Sequence, residues 1–187
     1  MISLNALKQG MAILMENQPC IILSTQHVHM GRGGAILRIK LKNLLTGATL
    51  EKTFKGNEKL EEADIEKTKV SFLYKENDKS FFMDNASFEQ FFIPNDQLGE
   101  KANYLKEGQE LESLNFNGQP ATIDLPAKID LKVISSPPAV KGDTAQGSGS
   151  KEIVLETGLK VLAPLFIKEG DMVKVNTETG KYVERVS

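Results

Sequence analysis

The tetrapeptide Leu7-Lys-Gln-Gly10 returns as Leu105-Lys-Glu-Gly108 and again as Ile167-Lys-Glu-Gly170, and each copy precedes a hairpin pattern. No other feature limits the fold as strongly, because it divides 187 residues into three short modules instead of one large domain. Each copy meets its turn at similar spacing: Glu16-Asn-Gln-Pro19, then Asn117-Gly118, then Thr177-Glu-Thr-Gly180. Asn-Gly and other Gly-bearing turns are hairpin signals. The charged stretch 62–66 and the proline-led stretch 126–128, extended by its proline, mark the joints. The expected domains are therefore 1–64, 65–127 and 128–187.

Short alternating apolar runs predict strands over 70–74, 80–84, 87–93, 110–116, 121–125, 129–135, 153–157, 159–163, 172–176 and 182–186. Helix is scarce, with one candidate over 95–105 in which Asn95 or Asp96 caps the start. Modules of roughly 60 residues with several short strands suit small closed or half-closed barrels, which remove exposed sheet edges. The expected fold class is all-β, in three small β-barrel domains of SH3-like or OB type.

The formal charge of −2 conceals an uneven distribution. Residues 26–56 carry Arg32, Arg38, Lys40, Lys42, Lys52 and Lys55 against Glu51 alone, whereas residues 57–130 carry eight basic and sixteen acidic groups. A basic first third is the footprint of phosphate contact, which an acidic middle would repel. No apolar run reaches the ~18 residues of a membrane helix, and Met1 does not begin a basic-then-apolar leader. A soluble, cytoplasmic protein without membrane contact is expected. The single cysteine, Cys20, stands among Pro19, Ile21 and Ile22 and reads as a small buried apolar group.

The basic third centres on His27-Val-His-Met-Gly-Arg-Gly-Gly-Ala35, flanked by strand patterns over 20–28 and 35–41. This is a hairpin projecting one cation, Arg32, with Gly31, Gly33 and Gly34 leaving it sterically open. A permanently charged guanidinium in that setting suits an anion, a planar base or a modifying enzyme. His27 and His29 share one strand face, but no third ligand stands nearby and no metal is expected. Gly31-Arg-Gly-Gly34 lacks the Gly-Lys-Ser/Thr of a phosphate-binding P-loop and precedes a strand, and no nucleophile stands at catalytic spacing from a histidine and a carboxylate. Enzymatic activity is not expected. The long loop 137–150 contains Val140-Lys-Gly-Asp-Thr144, which suits a tight turn. With no Trp, and with Phe set in alternating core-like strands, the chain offers no evident aromatic platform for stacking bases.

Together, the 27–34 loop, Lys40-Leu-Lys-Asn-Leu-Leu-Thr-Gly47, Phe81-Phe-Met-Asp84, Pro138-Ala-Val-Lys-Gly-Asp-Thr144, Leu155-Glu-Thr-Gly158, Pro164-Leu-Phe-Ile-Lys-Glu-Gly-Asp171 and the 177–185 segment resemble the bacterial elongation factor P family over essentially the whole chain. The resemblance implies a KOW/SH3-like domain and two OB domains in an L that imitates tRNA. It also implies a factor that binds the 70S ribosome and its RNA beside the peptidyl-tRNA and stimulates peptide bond formation at consecutive prolines; a monomer without cofactor is the expectation, though no residue pattern speaks to oligomeric state. On that resemblance Arg32 meets the acceptor end of the tRNA, within the tip loop of His29, Met30, Gly31, Gly33 and Gly34. Arg38, Lys40 and Lys42 are the candidates for RNA backbone contact, Gly142, Asp143 and Thr144 for the exit-site codon, and Tyr182 and Arg185 for the small subunit and tRNA stem. Many members carry lysine at the tip in a Pro-Gly-Lys-Gly setting. Here Arg32 takes the lysine's place and Met30 the proline's, so amine-directed acylation is not carried over. Members with arginine are often rhamnosylated on the guanidinium, which implies a rhamnosyltransferase as partner, and some related factors use the arginine bare. A general OB-type RNA-binding protein without a ribosomal role, and a purely structural ribosome-associated protein, stand as alternatives.

Overall fold

The computed structural model describes residues 1–30, 34–55, 58–138 and 149–186, with backbone only at 28–30, 34 and 35. The repeated tetrapeptide is a repeated structure. Leu7, Leu105 and Ile167 are all buried, and their amides donate three residues back to Leu4, Ala102 and Pro164 carbonyls at 3.3, 3.5 and 3.1 Å. The following lysine carbonyls accept from the amides of Met11, Gln109 and Asp171, while Met11 Sδ, Gln109 Oε1 and Asp171 Oδ2 accept from the lysine amides. The last residue of each copy, Gly10, Gly108 or Gly170, has φ of 86°, 75° or 90°, which an L side chain resists. A strand follows each turn.

Three antiparallel sheets result. The first contains β1 (Ile2–Ser3), β2 (Ala12–Met15), β3 (Gln18–Met30), β4 (Gly34–Asn43), β5 (Thr49–Lys55) and β6 (Lys59–Glu62), in the order β1-β6-β2-β3-β4-β5. Its core is Ile13, Cys20, Ile22, Leu37, Ile39, Leu41 and Phe54, closed by Leu4 and Leu7. The second contains β7 (Ile65–Glu76), β8 (Lys79–Asp84), β9 (Gln90–Pro94), β10 (Glu110–Phe116) and β11 (Gln119–Asp124), ordered β11-β10-β7-β8-β9. Phe72 and Phe82 meet edge to face in its interior, 5.5 Å between centroids. The third contains β12 (Lys128–Ser135), β13 (Ser150–Leu155), β14 (Lys160–Pro164), β15 (Met172–Asn176) and β16 (Tyr182–Val186), ordered β14-β13-β12-β15-β16, over Leu131, Val133, Ile153, Leu155, Val173 and Val175.

The chain divides into two compact units, Met1–Gly99 with Glu110–Asp124, and Glu100–Gln109 with Leu125–Ser187. Tyr104 lies between β9 and β10 in sequence, yet it is buried in the core of the third sheet.

Turn chemistry is legible at several points. Glu16-Asn17 and Asn117-Gly118 each have two positive φ values, as two-residue hairpin turns require. The expected helix over 95–105 is one α-helical turn, α1 (Asn95–Leu98), continued as 3₁₀ over Gly99–Tyr104. Its expected caps act elsewhere: the N-cap is Pro94, Asn95 Oδ1 accepts from Ser80 Oγ at 2.7 Å, and Asp96 Oδ1 accepts from the Gln97 amide. The strand expected from residue 87 begins at Gln90 instead. Asp84 Oδ1 accepts from the Ala86 and Ser87 amides at 2.9 and 2.8 Å, and Phe88 takes φ of 61°, so 84–88 forms a closed turn.

Candidate nucleic-acid interface

β3 and β4 pair continuously from Cys20 opposite Asn43 to Met30 opposite Gly34. Gly31, Arg32 and Gly33 join the two strands and lie outside the described residues. A bulge at Leu23, between Ile22 and Ser24, shifts the side-chain phase of β3. Below it Ile22 points into the core. Beyond it Ser24 and Gln26 lie outward, opposite Lys40 and Arg38. From His27 opposite Leu37, three further pairs carry the hairpin about 10 Å past the last buried residue of β4.

The outward face is cationic. On β4 the pleat buries Leu37, Ile39 and Leu41 and turns Arg38, Lys40 and Lys42 the other way, with Arg38 and Lys40 exposed and Lys42 half-buried. β5 pairs Lys55, Thr53, Glu51 and Thr49 with Ile36, Arg38, Lys40 and Lys42, which adds Lys55 to this face. The sequence reading did not assign Lys55 a role, although the period of two in Thr49, Glu51, Thr53 and Lys55 carries that signal. Lys52 belongs to the opposite face and binds Glu16 at 2.7 Å, an interaction that holds the Glu16 carboxyl below the usual carboxylate range. Arg38 Nε contacts Glu51 Oε1 at 3.2 Å, with both side chains about half exposed. Such a pair is weak and readily exchanged for a phosphate. Among the described residues Lys40 and Lys42 make no ion pair, so the face keeps a net positive charge suited to phosphate groups, which position without reading sequence.

The remaining predicted residues are distributed more widely. His29, Met30 and Gly34 occupy the last paired positions of the hairpin; Gly142, Asp143 and Thr144 lie outside the described residues. Tyr182 is half-buried against the third core, and burial, the largest cause, pushes its phenol pKa upward. Arg185 is exposed, 3.9 Å from Asp171 and 6.0 Å from the Phe166 ring centroid. Cys20 is a free, fully buried thiol whose pKa is raised first by that burial. No group of three or more His, Cys, Asp or Glu among the described residues is arranged to hold a metal ion.

The expectation that the Phe residues lie in core-like strands needs correction, since Phe88, Phe92 and Phe166 are exposed. Tyr74 and Phe92 are 42% and 47% exposed, and with Phe81 they form a row across β7, β8 and β9. The cause is a bulge at Leu73: Phe72 pairs with buried Phe82, whereas Tyr74, two residues on, pairs with outward Phe81. Even so, Tyr74 spends one ring face on Phe81 (4.8 Å, 19°) and Phe92 has the Lys79 ammonium 4.1 Å from its centroid.

Comparison with known proteins agrees with this architecture. Residues 3–60 match the elongation factor P KOW-like domain, residues 65–123 the elongation factor P OB domain, and residues 129–185 the elongation factor P C-terminal domain. Over 185 residues, 99% of this chain and all of the relative, it is 47% identical to elongation factor P of Dictyoglomus thermophilum and 46% identical to that of Dictyoglomus turgidum. The solved structure of eukaryotic translation initiation factor 5A from Methanococcus jannaschii shares the fold, with a TM-score of 0.50 and 24% identity over 63% of this chain and 87% of that one. Fold and relatives together define a modular all-β translation factor, not an enzyme. The chain belongs to the elongation factor P family, and its role is that of a translation elongation factor.

Proposed function

We propose that this factor binds the 70S ribosome beside the peptidyl-tRNA and accelerates peptide bond formation at consecutive prolines. The observation that carries the reading is the β3–β4 hairpin, whose outward cationic face leads along paired strands toward the three residues containing Arg32. Proline is a stiff and poor nucleophile, so a factor that holds the tRNA end in a reactive geometry supplies catalysis by positioning. Arg38, Lys40 and Lys42 contact RNA phosphates, and Arg32, flanked by Gly31 and Gly33, reaches the acceptor end. Gly142, Asp143 and Thr144 meet the exit-site codon, and Tyr182 and Arg185 face the small subunit and tRNA stem. The three domains, 1–64, 65–127 and 128–187, serve as tip-bearing, central and C-terminal parts.

Reconstituted translation with and without the factor tests this. A proline-run message is expected to speed up while a proline-free message does not, and equal rates on both would refute the reading. The mass of the Arg32 peptide from native cells settles its chemistry: an added deoxyhexose identifies a rhamnosyltransferase as partner, and an unmodified mass means that the bare guanidinium acts.

A further inference from the structure

The turn after β4, Asn43-Leu-Leu-Thr-Gly47, is anchored on every side. Asn43 Oδ1 accepts from the Leu45 and Thr46 amides at 2.8 and 3.0 Å, and the Gly47 amide returns to the Asn43 carbonyl at 3.0 Å. Asn43 Nδ2 donates to Gln18 Oε1, and the Leu44 amide donates to the Pro19 carbonyl at 2.9 Å. Gln18 and Pro19 begin β3 and Asn43 ends β4, so the turn is part of the base of the tip hairpin.

On its other side the same turn meets the second module. Gln97 of α1 donates through Nε2 both to the Leu44 carbonyl, at 3.4 Å, and to the Ala121 carbonyl of β11. A Cβ on Gly47 would stand 2.9 Å from the Gln97 carbonyl oxygen and 3.4 Å from that of Asp96, and Gly47 has φ of +71°. Glycine is therefore required twice, for its backbone angle and for the closeness of α1. In turn α1 is fixed to its own sheet by Ser80 Oγ on Asn95 Oδ1, by the Asn95 amide on the Asp78 carbonyl at 2.8 Å, and by fully buried Leu98.

We propose that Gly47 and Gln97 are positioning residues that lock the base of the tip hairpin to α1, so that the first and second sheets turn as one body. The hairpin makes this joint consequential. The thirteen residues of β3 span about 40 Å, and a rotation of about 5° at the base would carry the far end by about 3.5 Å. Misplacement by about 1 Å is enough to cost a positioned reaction on the order of a hundredfold. The structural half of the proposal stands alone; the catalytic half rests on the function proposed above.

The test uses the full chain as wild type, Gln97→Ala, Gln97→Glu and Gly47→Ala. Gln97→Glu keeps the size of the side chain and removes its amide donor, which guards against an alanine variant that fails to fold. Residual dipolar couplings are expected to fit one alignment tensor across both sheets in the wild type and two in the variants. Maximum proline-run rate at saturating factor is expected to fall on the order of a hundredfold, with the half-saturating concentration little changed. A shared tensor in Gln97→Glu, or an undiminished maximum rate in variants whose tensors have separated, overturns the proposal. If the wild type itself gives no acceleration, the proposed function fails, and the couplings alone then decide the joint.

Discussion

Alanine replacement at four left-handed glycines separates backbone strain from steric overlap within one protein. Gly10, Gly47, Gly108 and Gly170 have φ of 86°, 71°, 75° and 90°, yet a Cβ meets nothing within 4 Å at Gly10, Gly108 and Gly170. At those three sites the left-handed penalty of about 1–2 kcal/mol is offset by about 0.5–1 kcal/mol from the reduced freedom of the unfolded chain. A net loss of roughly 0.5–1 kcal/mol follows at each. Gly47→Ala adds a contact of 2.9 Å with a backbone oxygen, which cannot swing aside as a side-chain end would. Overpacking of that kind costs about 1–3 kcal/mol, which brings the expected loss to roughly 1.5–4 kcal/mol. Native-state amide exchange under urea is the suitable assay, because it reads Gly10 and Gly47 in one compact unit and Gly108 and Gly170 in the other. A Gly47→Ala loss no larger than that of Gly10→Ala would refute the claim that α1 closes on the turn.

Other expectations are simpler to check. Phe82→Ala removes a fully buried ring touching Phe72 and Phe91 and is expected to destabilise the β7–β8–β9 region by about 3–5 kcal/mol, read from exchange in those strands. The Asp84 carboxyl is held below its ordinary pKa by the Ser87 and Ala86 amides, so the closed 84–88 turn is favoured at neutral pH. That contribution should fade as pH falls through the carboxylate range toward the depressed folded value, and Asp84→Ala should abolish the dependence in an acid titration of the turn amides. Lys40→Ala with Lys42→Ala is expected to leave the melting temperature nearly unchanged while lowering the salt slope of ribosome affinity by roughly 1–2. Native Cys20 is expected to resist alkylation at pH 8 until denaturant is added, because burial both shields the thiol and raises its pKa.

How much of this was legible in sequence depended on whether local chemistry or pairing register decided each feature. The three buried apolar residues ahead of Lys-x-Gly were visible as an echo, because the same hydrogen bonds and the same left-handed glycine build all three turns. Asn117-Gly118 announced its own turn. Phe88 misled, since a phenylalanine at a left-handed position reads as strand; in the sister turns ending at Gly47 and Gly180 the same position is glycine. The outward aromatic row was hidden for another reason. A bulge at Leu73 reverses the alternation partway along β7, and strand periodicity cannot reveal a phase change set by the partner strand. The alternation of Leu37, Ile39 and Leu41 with Arg38, Lys40 and Lys42 is legible in the sequence of β4, while Lys55 joins that face only through the β4–β5 register. The contact of Gly47 with α1 is fifty residues distant in sequence and left no local trace there.

The most direct test of the account is the rate of peptide bond formation between consecutive prolines with saturating wild-type factor and with saturating Arg32→Ala, each shown to bind the ribosome. The account predicts acceleration by the wild type and a marked loss in the variant, with folding unchanged; equal acceleration by the two proteins would contradict it.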